Sequence, residues 1–177
     1  ARQELKLPLD AKILITVGGL VERKGFHRVM EIMPSLLKEN SDLIYLVVGG
    51  ACAEGDWSER LRELARKLDI SERVHFLGQV SSENLRVPLS AADLFVLSSR
   101  NEGWANVILE SMACGTPVIA SDVGGNAEVV NHEGLGSIVT FNDSQALESA
   151  ISEGLNRNWN REQLMNYAES NDWSNRI

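Results

Sequence analysis

Short runs of apolar, largely β-branched residues recur along this chain, and a glycine follows each of the first three. The first two runs, Ile13–Val17 (ILITV) and residues 43–48 (LIYLVV), are each followed by a pair of glycines. Such continuous runs are typical of strands that are buried on both faces of a sheet. With four later runs they predict six strands, at residues 13–17, 43–48, 74–77, 94–97, 118–120 and 137–139.

The segments between these strands carry apolar residues at helical spacing. Phe26, Val29 and Met33, for example, share one face of the first such segment. Pro88 is expected to shorten or bend the helix predicted over residues 82–90. The predicted helices cover residues 26–37, 58–68, 82–90, 106–114, 126–130 and 144–155, and a partly helical polar tail begins at residue 160.

This alternation predicts an α/β fold, a Rossmann-like parallel sheet with helices on both faces. The 177 residues are expected to form one domain, after a leader at residues 1–10. In open parallel sheets, ligands bind in the crevice at the carboxyl ends of the strands. Gly18, Gly49 and Gly78 follow predicted strands, as does the loop that contains Glu102. We therefore expect a ligand site along that edge of the sheet.

Composition narrows the choice of ligand and compartment. The formal net charge is −8, whereas a nucleic-acid groove needs clustered lysine and arginine, so no nucleic-acid partner is expected. No apolar run approaches the ~20 residues that span a bilayer, and no secretory signal opens the chain. Cys52 and Cys114 lie far apart and are expected to be free thiols in a reducing cytoplasm. No histidine stands at metal-ligand spacing from a cysteine, so no structural zinc site is expected.

Lys24 and Gly25 stand immediately before the first predicted helix. A lysine and a glycine at a helix start can hold a phosphate through the ammonium charge and through backbone N–H groups. The alternative is an ordinary solvated first turn of a surface helix. The chain contains no GxxxxGK[ST] loop and no GxGxxG after the first strand. It therefore lacks the fingerprints of a Walker A loop and of a dinucleotide-binding site.

Two glutamates stand eight positions apart, Glu102 in a loop and Glu110 inside a predicted helix. A loop carboxylate at the strand edge can accept hydrogen bonds from sugar hydroxyls. The helix that begins near Asn106 and Val107 offers unpaired backbone N–H groups to an anion. A ligand that bears both phosphate and hydroxyls suits this combination, which points to a nucleotide sugar.

Each of these residues also has an ordinary structural interpretation. Glu110 could be an exposed helical residue, and Asn106 could be the N-cap of its helix. Trp104, in the same loop as Glu102, either stacks on a ligand ring or plugs the loop against the core. Glycosidase chemistry by the two carboxylates is a further alternative, which suits the phosphate-binding surroundings less well.

Taken together, these segments resemble the C-terminal, donor-binding domain of GT-B glycosyltransferases, specifically the large family 4 of retaining enzymes. The resemblance covers most of residues 13–139. The segments that carry it are GGLVERKGF (18–26), LVVGG (46–50), VHFLG (74–78), ADLFVLSS (92–99) and the Glu-x7-Glu block (102–110) with CGTPVIASDVGG (114–125).

The resemblance implies one half of a two-domain enzyme that transfers a hexose, with retention, from a UDP-, GDP- or ADP-type nucleotide sugar to an acceptor hydroxyl. No metal and no other cofactor is implied. The polar tail at residues 160–177 would lead into a helix that crosses to an N-terminal, acceptor-binding domain missing from this sequence. A cytoplasmic enzyme is expected, and any peripheral attachment to the inner membrane would be decided by that missing domain.

The resemblance also implies roles by position. Lys24 would hold the donor diphosphate, Glu102 would face the donor sugar as the second catalytic residue, and Glu110 would bind the ribose hydroxyls. The other substrate-binding residues that it implies are Gly18, Gly19, Arg23, Gly49, Gly50, Gln79, Val80, Gly103, Trp104, Ala105, Asn106 and Val107.

One position departs from the family pattern. Members commonly have Gly-Arg-Leu after the first strand, and that arginine also contacts the diphosphate, whereas this chain has Gly19. One cation is therefore missing unless Arg23 or Arg100 substitutes for it. Two other functions stay open: a non-catalytic nucleotide-binding or interaction module with a decayed donor site, and an epimerase of nucleotide sugars.

Overall fold

The structure is a computed structural model that describes residues 1–104 and 106–171. In these residues there are six strands, β1 Ile13–Val17, β2 Ile44–Val48, β3 Val74–Gly78, β4 Leu94–Leu97, β5 Val118–Ser121 and β6 Gly136–Val139. They form a single parallel sheet in the order β3-β2-β1-β4-β5-β6. This strand order is that of a Rossmann-like fold, so the predicted fold class is confirmed.

Helices cover both faces of the sheet. The described helices are α1 Phe26–Glu39, α2 Ser58–Lys67, α3 Arg86–Ala91, α4 Asn106–Ala113, α5 Asn126–Val129, α6 Ser144–Asn156 and α7 Arg161–Ser170. Successive residues of each strand point to opposite sides of the sheet. Ile13 and Ile15 of β1 therefore belong to the core cluster that includes residues of α4 and α7. Leu14, between them, belongs to the cluster on the other face, with residues of α1 and α6.

The predicted strands and most predicted helices agree with the structure to within about two residues, but the helix predicted over residues 82–90 is wrong at its start. α3 begins at Arg86, and the residues before it form turns. A helix begun at Ser82 would place Pro88 in its interior, where the missing N–H breaks a backbone hydrogen bond. In the observed helix Pro88 lies in the first turn, where that N–H has no intrahelical partner in any case.

Both ends of the chain pack against the sheet unit where they are described. Arg2 forms an ion pair with Asp93 at 3.0 Å, and Leu7 is buried, so the predicted leader is anchored. The polar tail is partly helical, as predicted, because it contains α7. Leu164 and Ala168 of this helix are buried as well. Ala105 and residues 172–177, to which part of the predicted crossover segment belongs, lie outside the described residues.

The order of the strands reverses between β1 and β4. From β1 the chain builds outward through β2 and β3, and from β4 it builds the other way through β5 and β6. Neighbouring loops at such a switch point diverge to opposite faces and leave a crevice beyond the carboxyl ends of the strands. The loops that follow β1 and β4 border this crevice.

Candidate active site

Lys24 and Glu102 meet across the switch point of the sheet. Lys24 ends the 3-10 turn Glu22–Lys24 after β1, and Glu102 lies in the loop after β4. The Nζ atom of Lys24 lies 2.7 Å from Oε1 of Glu102, and the two side chains are only 16% and 7% exposed. A charge so shielded from water needs a partner, because its desolvation is otherwise uncompensated. The structure thus brings the two residues predicted to be catalytic into direct contact.

The position of Lys24 depends on the glycines beside it. Gly25 has φ +76°, and a Cβ there would lie 1.9 Å from the carbonyl oxygen of Ser98. The β1 loop can therefore approach the end of β4 closely only with glycine at this position. The Lys24 side chain runs beside Gly18, with its Cδ 3.3 Å from the point that a Cβ of Gly18 would occupy. The ammonium of Lys24 is consequently directed toward the β4 loop.

The loop that carries Glu102 is fixed from the other side by the turn after β5. Gly124 has φ +54°, and a Cβ there would lie 1.9 Å from the carbonyl oxygen of Glu102. The N–H of Gly125 donates to the carbonyl of Gly103 at 3.1 Å. The indole of Trp104 covers Gly125 and packs against the core. This packing favours the interpretation of Trp104 as a plug that holds the loop.

A cavity of about 320 Å³ opens at the ends of β1, β2 and β3. It gathers four glycines that the family resemblance implies are substrate-binding, and it adds Cys52 to them. Gln79 at its rim donates from Nε2 to the carbonyl of Ala51 at 3.2 Å. The lining residues are Val17, Gly18, Gly19, Val48, Gly49, Gly50, Ala51, Cys52, Gln79 and Val80.

Asn106 and Glu110 line a different and larger cavity, of about 580 Å³, between α4 and α7. Glu110 is exposed there, and the cavity shares no lining residue with the glycine-rich one. α4 begins at Asn106, so this residue is the first of the helix, and its N–H donates to the carbonyl of Trp104 at 3.2 Å. Val107 is half-buried against the core. The described structure therefore does not bring Glu110 into the same cavity as the glycines.

Arg23 and Arg100, the two arginines that could replace the missing cation, each lie beside a carboxylate. Arg23 makes a two-pronged contact with Glu54, from Nε to Oε2 at 2.6 Å and from NH2 to Oε1. Hydrogen bonding to Glu54 raises the pKa of Arg23, and the same bond lowers the pKa of Glu54. The NH1 atom of Arg100 lies 3.8 Å from Oε1 of Glu22.

Gly19 packs closely against Cys52. A Cβ at position 19 would lie 2.8 Å from the Cys52 sulfur. Neither Cys52 nor Glu54 was predicted to belong to the site. Both belong to a tight turn in the loop after β2, in which Cys52 and Gly55 exchange backbone hydrogen bonds. The location of this turn on the carboxyl edge is the signal that could have identified them.

Residues 1–104 and 106–171 contain neither a candidate metal-binding cluster nor a candidate membrane-spanning helix. No group of three or more histidine, cysteine, aspartate or glutamate side chains in this part of the chain could hold a metal ion. No helix there has both the length and the apolar character to cross a membrane.

The family model described as glycosyl transferases group 1 matches residues 1–171. Among curated relatives, a D-inositol 3-phosphate glycosyltransferase from Corynebacterium urealyticum is 34% identical over 171 residues, which are 95% of this chain and 40% of that protein. The lipopolysaccharide core biosynthesis glycosyltransferase LpsE from Rhizobium meliloti is 36% identical over 152 residues, 86% of this chain and 42% of that protein.

Solved structures give the same result. The structure of HepE from Anabaena in complex with UDP matches with a TM-score of 0.81 at 26% identity, over 96% of this chain and 45% of that one. A sucrose-phosphate synthase from Thermosynechococcus elongatus matches with a TM-score of 0.77 at 32% identity, over 96% of this chain and 46% of that one. The chain thus spans less than half the length of these proteins.

Proposed function

The chain belongs to the glycosyl transferases group 1, and from this premise we propose that it is the donor-binding half of a retaining hexosyltransferase. The complete enzyme would transfer a hexose from a nucleotide-diphosphate sugar to an acceptor hydroxyl. The observation that carries the proposal is the Lys24–Glu102 contact at the switch point. There a cation suited to a diphosphate stands beside a carboxylate suited to sugar hydroxyls.

Lys24 would act on the leaving group. When the bond between the sugar and the diphosphate breaks, negative charge develops on the departing oxygen, and a positioned cation in a shielded site stabilises it. The proposed reaction needs no metal ion, because Lys24 supplies the positive charge. Glu102 would accept hydrogen bonds from the hexose.

The glycine-rich cavity would take the base, since four glycines line it and it leaves about 320 Å³ free. The remaining substrate-binding roles, including that of Glu110 toward the ribose, carry over by position. HepE, whose fold is similar, was solved with UDP bound, which supports a nucleotide ligand. The acceptor would be bound by the part of the enzyme that lies outside this chain, because the chain covers only 40% to 46% of the length of the proteins compared above.

The decisive experiment is a calorimetric titration of this chain with UDP, GDP, ADP and dTDP, in the presence and absence of EDTA. We expect one base to be selected and EDTA to have no effect. Glu110→Gln should weaken that binding about tenfold, the value of a hydrogen bond to a charged group. The matched control is Glu59→Gln, which removes an 83% exposed carboxylate on α2. Equal loss in both variants would contradict the role of Glu110.

Measurements on a complete protein that contains this chain distinguish the transferase from a decayed site and from an epimerase. If neither the chain nor the complete protein binds any of the four nucleotides, the donor site has decayed and the proposal fails. Transfer of the hexose to an acceptor, with the anomeric configuration followed by NMR, tests the reaction itself. An inverted product would contradict retention, and interconversion of sugar epimers without transfer would favour an epimerase.

A further inference from the structure

Three cations at the switch-point edge are paired with carboxylates, and each pair joins two different loops. Lys24 pairs with Glu102 and Arg23 pairs with Glu54, while the contact of Arg100 joins it to the turn after β1. Each pair has no net charge. A diphosphate that reaches this edge therefore meets cations that already have anionic partners, and its binding requires at least one exchange of partners.

The pairs differ in how easily they open. Glu102 is 7% exposed, so separating it from Lys24 would leave a shielded carboxylate without its cation. Glu54 is 49% exposed, and water can solvate its carboxylate once it leaves Arg23. Exposed ion pairs contribute little to stability because both partners are well hydrated when apart. The Arg23–Glu54 pair is therefore easier to exchange than the Lys24–Glu102 pair.

The geometry of Arg23 suits an exchange with phosphate. Its Nε and NH2 groups face the two oxygens of Glu54 in the parallel arrangement that arginine also uses toward phosphate oxygens. Its NH1 group donates to the carbonyl of Asn101 at 3.3 Å. The neighbour of Asn101 is Glu102, so Arg23 is attached to the same loop that carries the proposed sugar-facing carboxylate. Loss of Glu54 would leave this attachment in place.

Glu54 is presented by the tight turn from Cys52 to Gly55, in which N–H of Cys52 donates to Gly55 at 2.9 Å and N–H of Gly55 donates back at 3.0 Å. Cys52 also lines the glycine-rich cavity. Arg23 and Glu54 line a neighbouring cavity of about 400 Å³, so the turn that carries Cys52 and Glu54 contributes residues to both cavities.

We propose that Glu54 is an internal substitute for the phosphate of the ligand: its carboxylate holds Arg23 in the empty site and releases it to a nucleoside diphosphate. This inference rests on the proposed function. Glu54 sets the affinity of the site, because every binding event must first separate it from Arg23. Removal of its charge strengthens binding of a nucleoside diphosphate and leaves binding of the corresponding nucleoside unchanged.

The test is a set of calorimetric titrations at constant low salt with UDP and uridine, GDP and guanosine, and ADP and adenosine. The variants are Glu54→Gln, Arg23→Gln, the double variant, and Glu59→Gln as the control on an exposed ion pair that does not include Arg23. We expect Glu54→Gln to tighten binding of the selected diphosphate about fivefold, as for one exposed ion pair. The same change should have no effect when Arg23 is already replaced, and Glu59→Gln should match the parent.

Each other outcome has a defined meaning. Unchanged or weaker binding of the diphosphate by Glu54→Gln overturns the inference while the proposed function stands. An equal gain for diphosphate and nucleoside also overturns it, because the effect would then lie in the shape of the cavity. Glu54→Ala repeats the measurement without an amide, and it must change affinity in the same direction. If neither the parent chain nor the complete protein binds dTDP or any of the six compounds, the proposed function and this inference fall together.

Discussion

The ammonium of Lys24 lies 2.7 Å from the carboxylate of Glu102, although the two residues are 78 positions apart in the sequence. Their contact joins the β1 and β4 loops across the switch point. The same two groups that would receive a diphosphate and a sugar therefore also contribute to the stability of the fold. Substitution of these residues should therefore change both the free energy of unfolding and the affinity for the ligand. The two effects can be measured separately.

Lys24→Ala should weaken nucleoside diphosphate binding and also lower the free energy of unfolding by about 1–3 kcal/mol, because it leaves the shielded carboxylate of Glu102 unpaired. Urea denaturation and calorimetry measure the two effects. The double variant Lys24→Ala/Glu102→Gln should recover most of the stability and none of the binding. Equal stability of Lys24→Ala and the parent would show that the contact contributes nothing to the fold.

Gly124→Ala should destabilise the protein by about 1–3 kcal/mol, since the new Cβ needs a strained backbone conformation and would lie 1.9 Å from the carbonyl oxygen of Glu102. The matched control is Gly103→Ala in the facing loop, where a Cβ meets nothing within 4 Å. That variant should stay within about 0.5 kcal/mol of the parent. Denaturant titrations that give similar values for the two variants would contradict the packing of the two loops.

The sequence could predict the strands and the edge at which the site lies, because both follow from the pattern of buried runs and from the rule that parallel strands end together. Lys24 was predicted as one of the two catalytic residues by its place in a recognisable motif. The pairing of Arg23 with Glu54 could not be predicted, because it depends on how a four-residue turn after β2 folds back on the β1 loop. The start of α3 was predicted wrongly, because the spacing of apolar residues alone does not reveal at which residue the helix begins relative to Pro88.

Cys52 occupies the space that a side chain at position 19 would need, since its sulfur lies 2.8 Å from the point where a Cβ of Gly19 would stand. Gly19→Arg alone should therefore fail to improve binding of nucleoside diphosphates. In Gly19→Arg/Cys52→Ala, the sulfur is gone, and the added guanidinium should tighten binding about ten- to hundredfold, as for one charge-assisted hydrogen bond. Calorimetry on the two variants and on Cys52→Ala measures this. If the single and double variants bind equally well, Cys52 does not restrict position 19.

His27 should make the stability of the protein depend on pH. Burial lowers the pKa of His27 below its ordinary value of 6.5, with a smaller contribution from the charge of Arg28. Within the described part of the chain its Nδ1 atom is buried and has no hydrogen-bond partner. Protonation is therefore easier in the unfolded chain than in the folded protein.

Between the lowered pKa and 6.5, the unfolded chain binds more protons than the folded one, so the free energy of unfolding rises with pH. The contribution of His27 is fully present above pH 6.5 and is lost as the pH falls toward the lowered value. Thermal denaturation from pH 7.5 down to 5.5 should show this loss in the parent and a smaller one in His27→Gln. Parallel curves for the two proteins would mean that another group causes the loss, since only the variant lacks the titrating ring.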